Sequence, residues 1–438
     1  MSSLTLRRTQ SILALAVLAL SAPAFALQPL ADFLASAQKA NPDALEAAAN
    51  VAQQEAQADI AFGKALPGIS LRGTYTRNQY ASEFTFTPDP AQPPVTVTIQ
   101  PLNQLDFYGV LNVPLIDLAQ FKRISNSKRS LDQTKKQLEA IQLQVNGQVV
   151  QSYFQLVANQ ALVEASKRQL EVSKQNLALT QDKFTYGSAP ELEVDRAKAD
   201  VERIVQQEAA AELQTAIAAR ALGSASGLTP VLDATPANIS DDLHEEPALD
   251  TLFKSVDSLP TIEVAGLSVE VADGNVAAQK LTLVPTLAGS FTEHIANSGG
   301  FAGSNSTYTI LLSLNWAIDF TTFANIRSQE AAAEATRARA QKVRLAAQDE
   351  ISREWNSVKA GLARSQSARA ELKASRHAAE LAQDRYKAGA ATQLDLLQAE
   401  RDAFTAEVSR IQADADLANS RAQLKLSTGQ SLTGAAKN

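Results

Sequence analysis

Cysteine is absent from all 438 residues. That excludes disulfides, thiolate metal sites, cysteine nucleophiles and a lipid-bearing N-terminal cysteine. Histidine is nearly absent. His244, His294 and His377 stand alone in the sequence without ligand spacing, so each reads as a surface residue and no metal centre is expected. No glycine-rich phosphate loop precedes a helix, and no serine or aspartate has a base nearby in sequence, so neither a cofactor nor an enzymatic activity is expected. Basic residues are outnumbered, with a net charge of −7, which argues against nucleic acid as a partner. Beyond residue 26 every apolar run is broken by charge within a few residues, and a spanning helix needs ~20 apolar residues. A mature chain that touches a membrane must therefore lie on it or cross it as strands.

The first 26 residues read as an export signal. Arg7 and Arg8 precede a short apolar core at 11–20, and Ala24-Phe25-Ala26 is a small-residue cleavage pattern. A chain exported without cysteine suits the periplasm of a Gram-negative cell. Without a lipid, its anchoring must come from the fold.

What is abundant is alanine, with Gln, Glu, Lys, Arg and Leu, the composition of long or coiled helices. The chain is also duplicated. Residues 179–227 align without gaps to 381–429 at a constant shift of 202, with 12 of 49 positions identical, including Gly187 with Gly389 and Gly227 with Gly429. The organisation expected is a signal peptide at 1–26, a first repeat at 27–228, a linker at 229–247 and a second repeat at 248–438, both repeats forming one elongated body.

Each repeat reads as helix, strand, strand, long helix, helix. In the first, a helix is expected over 29–62, with a break or cap at Asn41-Pro42-Asp43. Strands follow at 68–80 and 103–114, separated by a proline-rich stretch at 81–100 read as a loop. Helices follow at 120–184 and 191–222, parted by Gly187 and Pro190. In the second, helices are expected at 248–281, 322–386 and 393–426, with strands at 286–297 and 307–318 around a Gly/Ser/Asn turn. A helix of 65 residues is ~98 Å long and has no globular core to pack on. Two shorter helices stacked end to end would match it, giving a tall bundle with all strands at one end. Apolar and small residues spread over two seams on these helices, as in a wall with neighbours on both sides. An ordinary coiled coil is the alternative.

The strands alternate. Tyr75, Phe107, Phe291, Tyr308 and Trp316 fall on oily faces, as a lipid-facing barrel surface needs. Four strands cannot close a membrane barrel, because the smallest have eight, and open edges are not tolerated in lipid. Several chains must share one barrel. Eight strands fill their own interior with side chains, so three chains and twelve strands suit a conduit better. The fold class expected is mainly α with a membrane β-barrel portion: a homotrimer sharing a 12-stranded barrel continuous with a long α-helical tunnel.

The whole mature chain then resembles the TolC-type outer-membrane efflux proteins. After the second strand of the first repeat stands Val113-Pro114-Leu115-Ile116-Asp117, and after that of the second Trp316-Ala317-Ile318-Asp319, similar to the family's Pro-Leu-Phe-Asp-Gly-like stretch. Asp117 and Asp319 suit the N-cap of each long helix. The hairpin turns Tyr186-Gly187-Ser188 and Ala388-Gly389-Ala390 resemble the family's tips, with Glu193 and Asp395 six residues after each glycine. The resemblance implies an export duct with a tunnel in the periplasm, adaptor contact at those tips, and a periplasmic gate at Asp395, Gln398 and Glu193, where the family's second acidic position is Gln398. It implies a membrane-fusion adaptor, an inner-membrane transporter and outer-membrane lipid as partners. It implies export of small molecules, drugs or toxic compounds, with the duct of a type I protein secretion system as the alternative that the sequence does not separate from it. A non-conducting coiled coil or adhesin on the cell surface is the rival of a different class.

Overall fold

A computed structural model describes residues 27–232 and 243–432. The signal peptide expected at 1–26 and part of the linker expected at 229–247 lie outside the described residues.

Among the described residues, eight α-helices and six strands follow in chain order. They are α1 (Leu30–Ala40), α2 (Pro42–Gly63), β1 (Gly68–Arg77), β2 (Ser82–Phe86), β3 (Val95–Gln100), β4 (Asn103–Ile116), α3 (Leu118–Thr185) and α4 (Glu191–Ser226). The second repeat adds α5 (Leu249–Leu252), α6 (Pro260–Leu281), β5 (Thr286–Ala296), β6 (Ser306–Asn315), α7 (Phe320–Lys387) and α8 (Gln393–Ser427). The two long helices have 68 residues each, ~100 Å of continuous helix. Asp117 starts one by accepting from the Gln120 N–H at 2.8 Å, and Asp319 starts the other by accepting from the Thr322 N–H at 2.7 Å. None of the described helices is long and apolar enough to cross a membrane.

The break or cap expected at Asn41-Pro42-Asp43 is there: the stretch 29–62 is two helices, because Asn41 precedes Pro42 and is held extended. Two other expectations need correction. The helix expected over 248–281 is broken in the same way at Leu259-Pro260, leaving α5, a 3-10 turn at Phe253–Ser258, and α6. The stretch at 81–100 is not all loop. Thr85 pairs with Thr96 and Phe86 with Val95, so β2 and β3 form a separate hairpin. The prolines sit in its turn, where a missing N–H breaks no ladder, and Phe84 alternates with Phe86 across from Val97 and Val95.

The breaks let α1 and the α5 segment lie against the long helices at the places where the shorter helices meet end to end. Phe33 and Leu34 of α1 join Val149, Leu156 and Leu222 in one apolar cluster. Leu252, Val256 and Leu259 join Ile351, Val358 and Leu417 in its counterpart. Asn41 ties the first junction: its side chain accepts from the Asp43 N–H at 2.9 Å and donates to the Ala225 carbonyl at 2.8 Å. Gly227 closes α4 with φ +71°, and a Cβ there would stand 2.4 Å from the Ala40 Cβ. Gly227→Ala is therefore expected to lower stability by about 2–4 kcal/mol, the left-handed backbone and the overlap each contributing. Gly63→Ala, which meets open space, is the control. Equal midpoints of denaturant unfolding for the two variants would contradict this account.

Above the helices, β1, β4, β5 and β6 form one antiparallel sheet in the order β1-β4-β5-β6, so β1 and β6 are unpaired edges within the chain. Residues directly opposite share a face. Tyr75 faces Leu105, Phe107 lies between Gly73 and Ile295, and Phe291 between Leu111 and Ile310. Tyr308 stacks on Phe291 at 6.1 Å, and Trp316 continues that alternation just past β6. The opposite face is polar, carrying Arg72, Thr74, Asp106, Tyr108 and His294.

Candidate functional site

The two helical hairpins end at the far end from the sheet. Each tip closes by the same mechanism. Gly187 and Gly389 both adopt φ +75°, with nothing crowding them, so it is the left-handed turn alone that asks for glycine. Ser188 N–H donates to the Lys183 carbonyl and Ala390 N–H to the Arg385 carbonyl, both at 2.8 Å, satisfying the last carbonyls of α3 and α7. Tyr186 is 86% exposed at one tip, and Leu192 and Leu394 are exposed just beyond the two turns.

Asp395 is fully exposed. It is the third residue of α8, and its carboxylate accepts from the Thr392 hydroxyl at 2.7 Å and from the Thr392 N–H at 3.0 Å, completing a capping box. Those two bonds from Thr392 hold its carboxyl below the usual carboxylate range. Gln398 donates to Asp402 one turn along the same helix at 2.9 Å. Neither touches the other hairpin. Glu193 does: its carboxylate accepts from the Tyr386 hydroxyl at 3.2 Å, and its carbonyl accepts from the Gln393 amide. Of the three gate candidates the structure thus brings one into a contact between hairpins.

That contact is the lowest rung of a polar seam. Lys183 donates to the Tyr386 carbonyl at 2.5 Å and sits over its ring, 3.7 Å from the centroid. The Thr180 hydroxyl lies 3.3 Å from that of Tyr386. Burial, and the Glu193 carboxylate beside it, push the Tyr386 hydroxyl up from its ordinary value, so it stays a donor. Higher up, Asn176 bonds Glu400, and Arg401 bonds Asp200 at 3.2 Å while Arg203 and Ser173 hold the same carboxylate at 2.8 and 3.0 Å. Above these, Arg168 reaches Glu407 at 2.9 Å. Burial works to raise the Glu407 carboxyl, but Arg376 and Arg168 outweigh it and hold it below its usual value. Above this level the α3–α8 seam has a continuous apolar stretch, with Ala158 and Ala165 against Ile411 and Ala415.

Sequence reasoning did not single out Tyr386, Lys183 or Thr180. A signal was present: Tyr386 occupies the repeat position of Phe184, an apolar ring in one copy and a ring with a hydroxyl in the other.

The histidines are less solitary than their sequence spacing suggests. His294 lies 2.8 Å from Asp106 and stacks on Tyr108 at 4.3 Å, with Arg72 over the other side of that tyrosine. His244 bonds Arg421. His377 is exposed, 3.9 Å from Glu380. Among the described residues no three His, Cys, Asp or Glu side chains converge as a metal site would require.

The arrangement is one of walls, tips and a sheet rather than an enclosed pocket, and comparison with solved structures agrees. The outer-membrane channel OprN superposes with a TM-score of 0.76 at 21% identity, covering 92% of this chain and 90% of that one. The CmeC outer membrane channel of Campylobacter jejuni gives 0.73 at 20%, covering 91% and 85%. The open state of the MtrE outer membrane channel of Neisseria gonorrhoeae gives 0.72 at 17%, covering 93% and 90%. At these identities the likeness establishes the fold. No curated protein sequence matches the chain significantly. The model of the outer membrane efflux protein family, however, matches twice, over residues 33–228 and 255–430, once in each repeat. The chain belongs to the outer membrane efflux protein family.

Proposed function

We propose that three copies of this chain form one export duct, a shared barrel in the outer membrane continuous with a helical tunnel through the periplasm. Outer-membrane location and a periplasmic helical tunnel come with the family; the trimer, the gate and the cargo are the proposal. The observation that carries it is the open four-stranded sheet, apolar on one face and polar on the other, with β1 and β6 unpaired. An open edge in lipid leaves several backbone groups unsatisfied, and joining β6 of one copy to β1 of the next removes every edge at once. Tyr75, Phe107, Phe291, Tyr308 and Trp316 then face lipid. The polar face lines a conduit for small molecules.

The hairpin tips, with Tyr186-Gly187-Ser188 and Ala388-Gly389-Ala390, dock a periplasmic adaptor. An inner-membrane transporter supplies the energy. The tips also form the gate: Glu193 and Tyr386 hold the hairpins of one chain together, and three Asp395 carboxylates ring the entrance, favouring cations. Single-channel recording from the purified mature trimer in a planar bilayer tests this. Discrete cation-favouring steps are expected, with the cation preference reduced in Asp395→Ala. Absence of current from folded trimer would overturn the duct. A preference unchanged by the mutation would keep the duct and remove Asp395 from its entrance.

A further inference from the structure

Glu400 sits in the middle of the polar seam, in α8 against α3, and is only 6% exposed. One carboxylate oxygen accepts from the Asn176 amide at 2.5 Å. The other is fully buried with no hydrogen-bond partner. The charged groups around it are engaged elsewhere. On α4, Asp200 is held by Arg203, and Arg401, next to Glu400 in sequence, turns to Asp200 as well. On α7, Arg376 pairs with Glu407, two turns further along α8. On α3, Lys183 lies two turns nearer the tip and is taken by Tyr386. Thus Glu400 faces an amide, a second carboxylate and no cation of its own. An ionised carboxylate in that place is costly, whereas a protonated one costs little.

We propose that Glu400 is a proton-operated latch between the two hairpins: protonated, it lets α8 close on α3; ionised, it drives the seam apart and frees the tips. The latch rests on the reading of the tips as the duct's gate. Burial first, with the Asp200 charge adding to it and the Asn176 bond opposing, raises the Glu400 carboxyl from 4.5 to about 7. Separation of the hairpins returns the group to water and to its ordinary value. Because its affinity for the proton is higher in the paired state, the latch holds fully below about pH 4.5 and weakens as pH rises to about 7. Above that it weakens no further. The paired-to-separated ratio falls by up to about tenfold per pH unit, roughly 300-fold across the window.

The cysteine-free chain makes the test direct. Full-length trimers carrying Ser188→Cys and Ala390→Cys, one spin label on each tip, are measured by pulsed dipolar spectroscopy from about pH 4.5 to about pH 8, the window set by linkage. The wild-type background is expected to lengthen its tip distances as pH rises. Glu400→Gln, which keeps the shape and the Asn176 bond but cannot ionise, is expected to stay short throughout. Distances that do not move with pH in the wild-type background, or that move equally in Glu400→Gln, overturn the latch. This readout needs no current. Trimers that conduct but show pH-independent tips lose the latch alone; trimers with moving tips that never conduct lose the duct and keep the latch.

Discussion

Tyr386→Phe is expected to raise the channel's open-to-closed ratio by roughly tenfold, and Tyr386→Ala by more. The hydroxyl donates to the Glu193 carboxylate across the two hairpins, and a hydrogen bond to a charged group contributes about 1.5 kcal/mol or more. Every 1.4 kcal/mol is a factor of about ten in an equilibrium. Phenylalanine keeps the ring under the Lys183 ammonium and the carbonyl that Lys183 reaches, so it isolates the hydroxyl. Alanine also removes a ring that is 3% exposed, packing that exists only while the hairpins are together. Open probabilities from the same bilayer recordings give the ratio. Phenylalanine and tyrosine channels with identical open probabilities would show that this rung does not hold the tips.

Asp414→Ala is expected to cost about 3–5 kcal/mol. Asp414 is 2% exposed between α7 and α8. One oxygen accepts from the Ser365 hydroxyl and the Arg369 guanidinium, and the other from Arg410 at 3.0 Å. Deleting it removes the carboxylate that two partly buried guanidinium groups share. The cost is that of breaking a buried cluster from one side and is not the worth of the cluster. The matched control is therefore a triple replacement, Asp414→Leu with Arg369→Leu and Arg410→Met, which is expected to be close to neutral. Midpoints of denaturant unfolding in detergent compare them. A triple variant as damaged as Asp414→Ala would mean that the ion pairs themselves stabilise the hairpin.

Periodicity made the long helices and the four sheet strands legible, because a helix that buries two seams and a strand that buries one face both write their period into the sequence. The caps at Asp117 and Asp319 and the turns at Gly187 and Gly389 were equally readable, since each is a local demand met within four or five residues. The hairpin of β2 and β3 was obscured by prolines that belong to its turn. The break before Pro260 was legible in the sequence, as the restriction on Leu259 is local. The seam was not legible. Asn176 finds Glu400, and Thr180 finds Tyr386, across more than two hundred residues. Their meeting depends on the register of α3 against α7 and α8, helices of the other repeat, which no window within any one of them can fix.

The change along the α3–α8 seam, from apolar at Ala165 and Ile411 to polar below Arg168, divides the bundle mechanically. Water can take the place of a hydrogen bond when two helices part, but it cannot take the place of an apolar neighbour. Parting the lower seam largely trades one set of hydrogen bonds for another, Leu396 and the Tyr386 ring apart, while parting the upper one exposes a continuous apolar stretch. The helix pairs therefore behave as legs hinged beneath a greased waist. Amide hydrogens near the tips should exchange through small, frequent openings, and those beside Val149 and Ile351 only when the whole bundle comes apart.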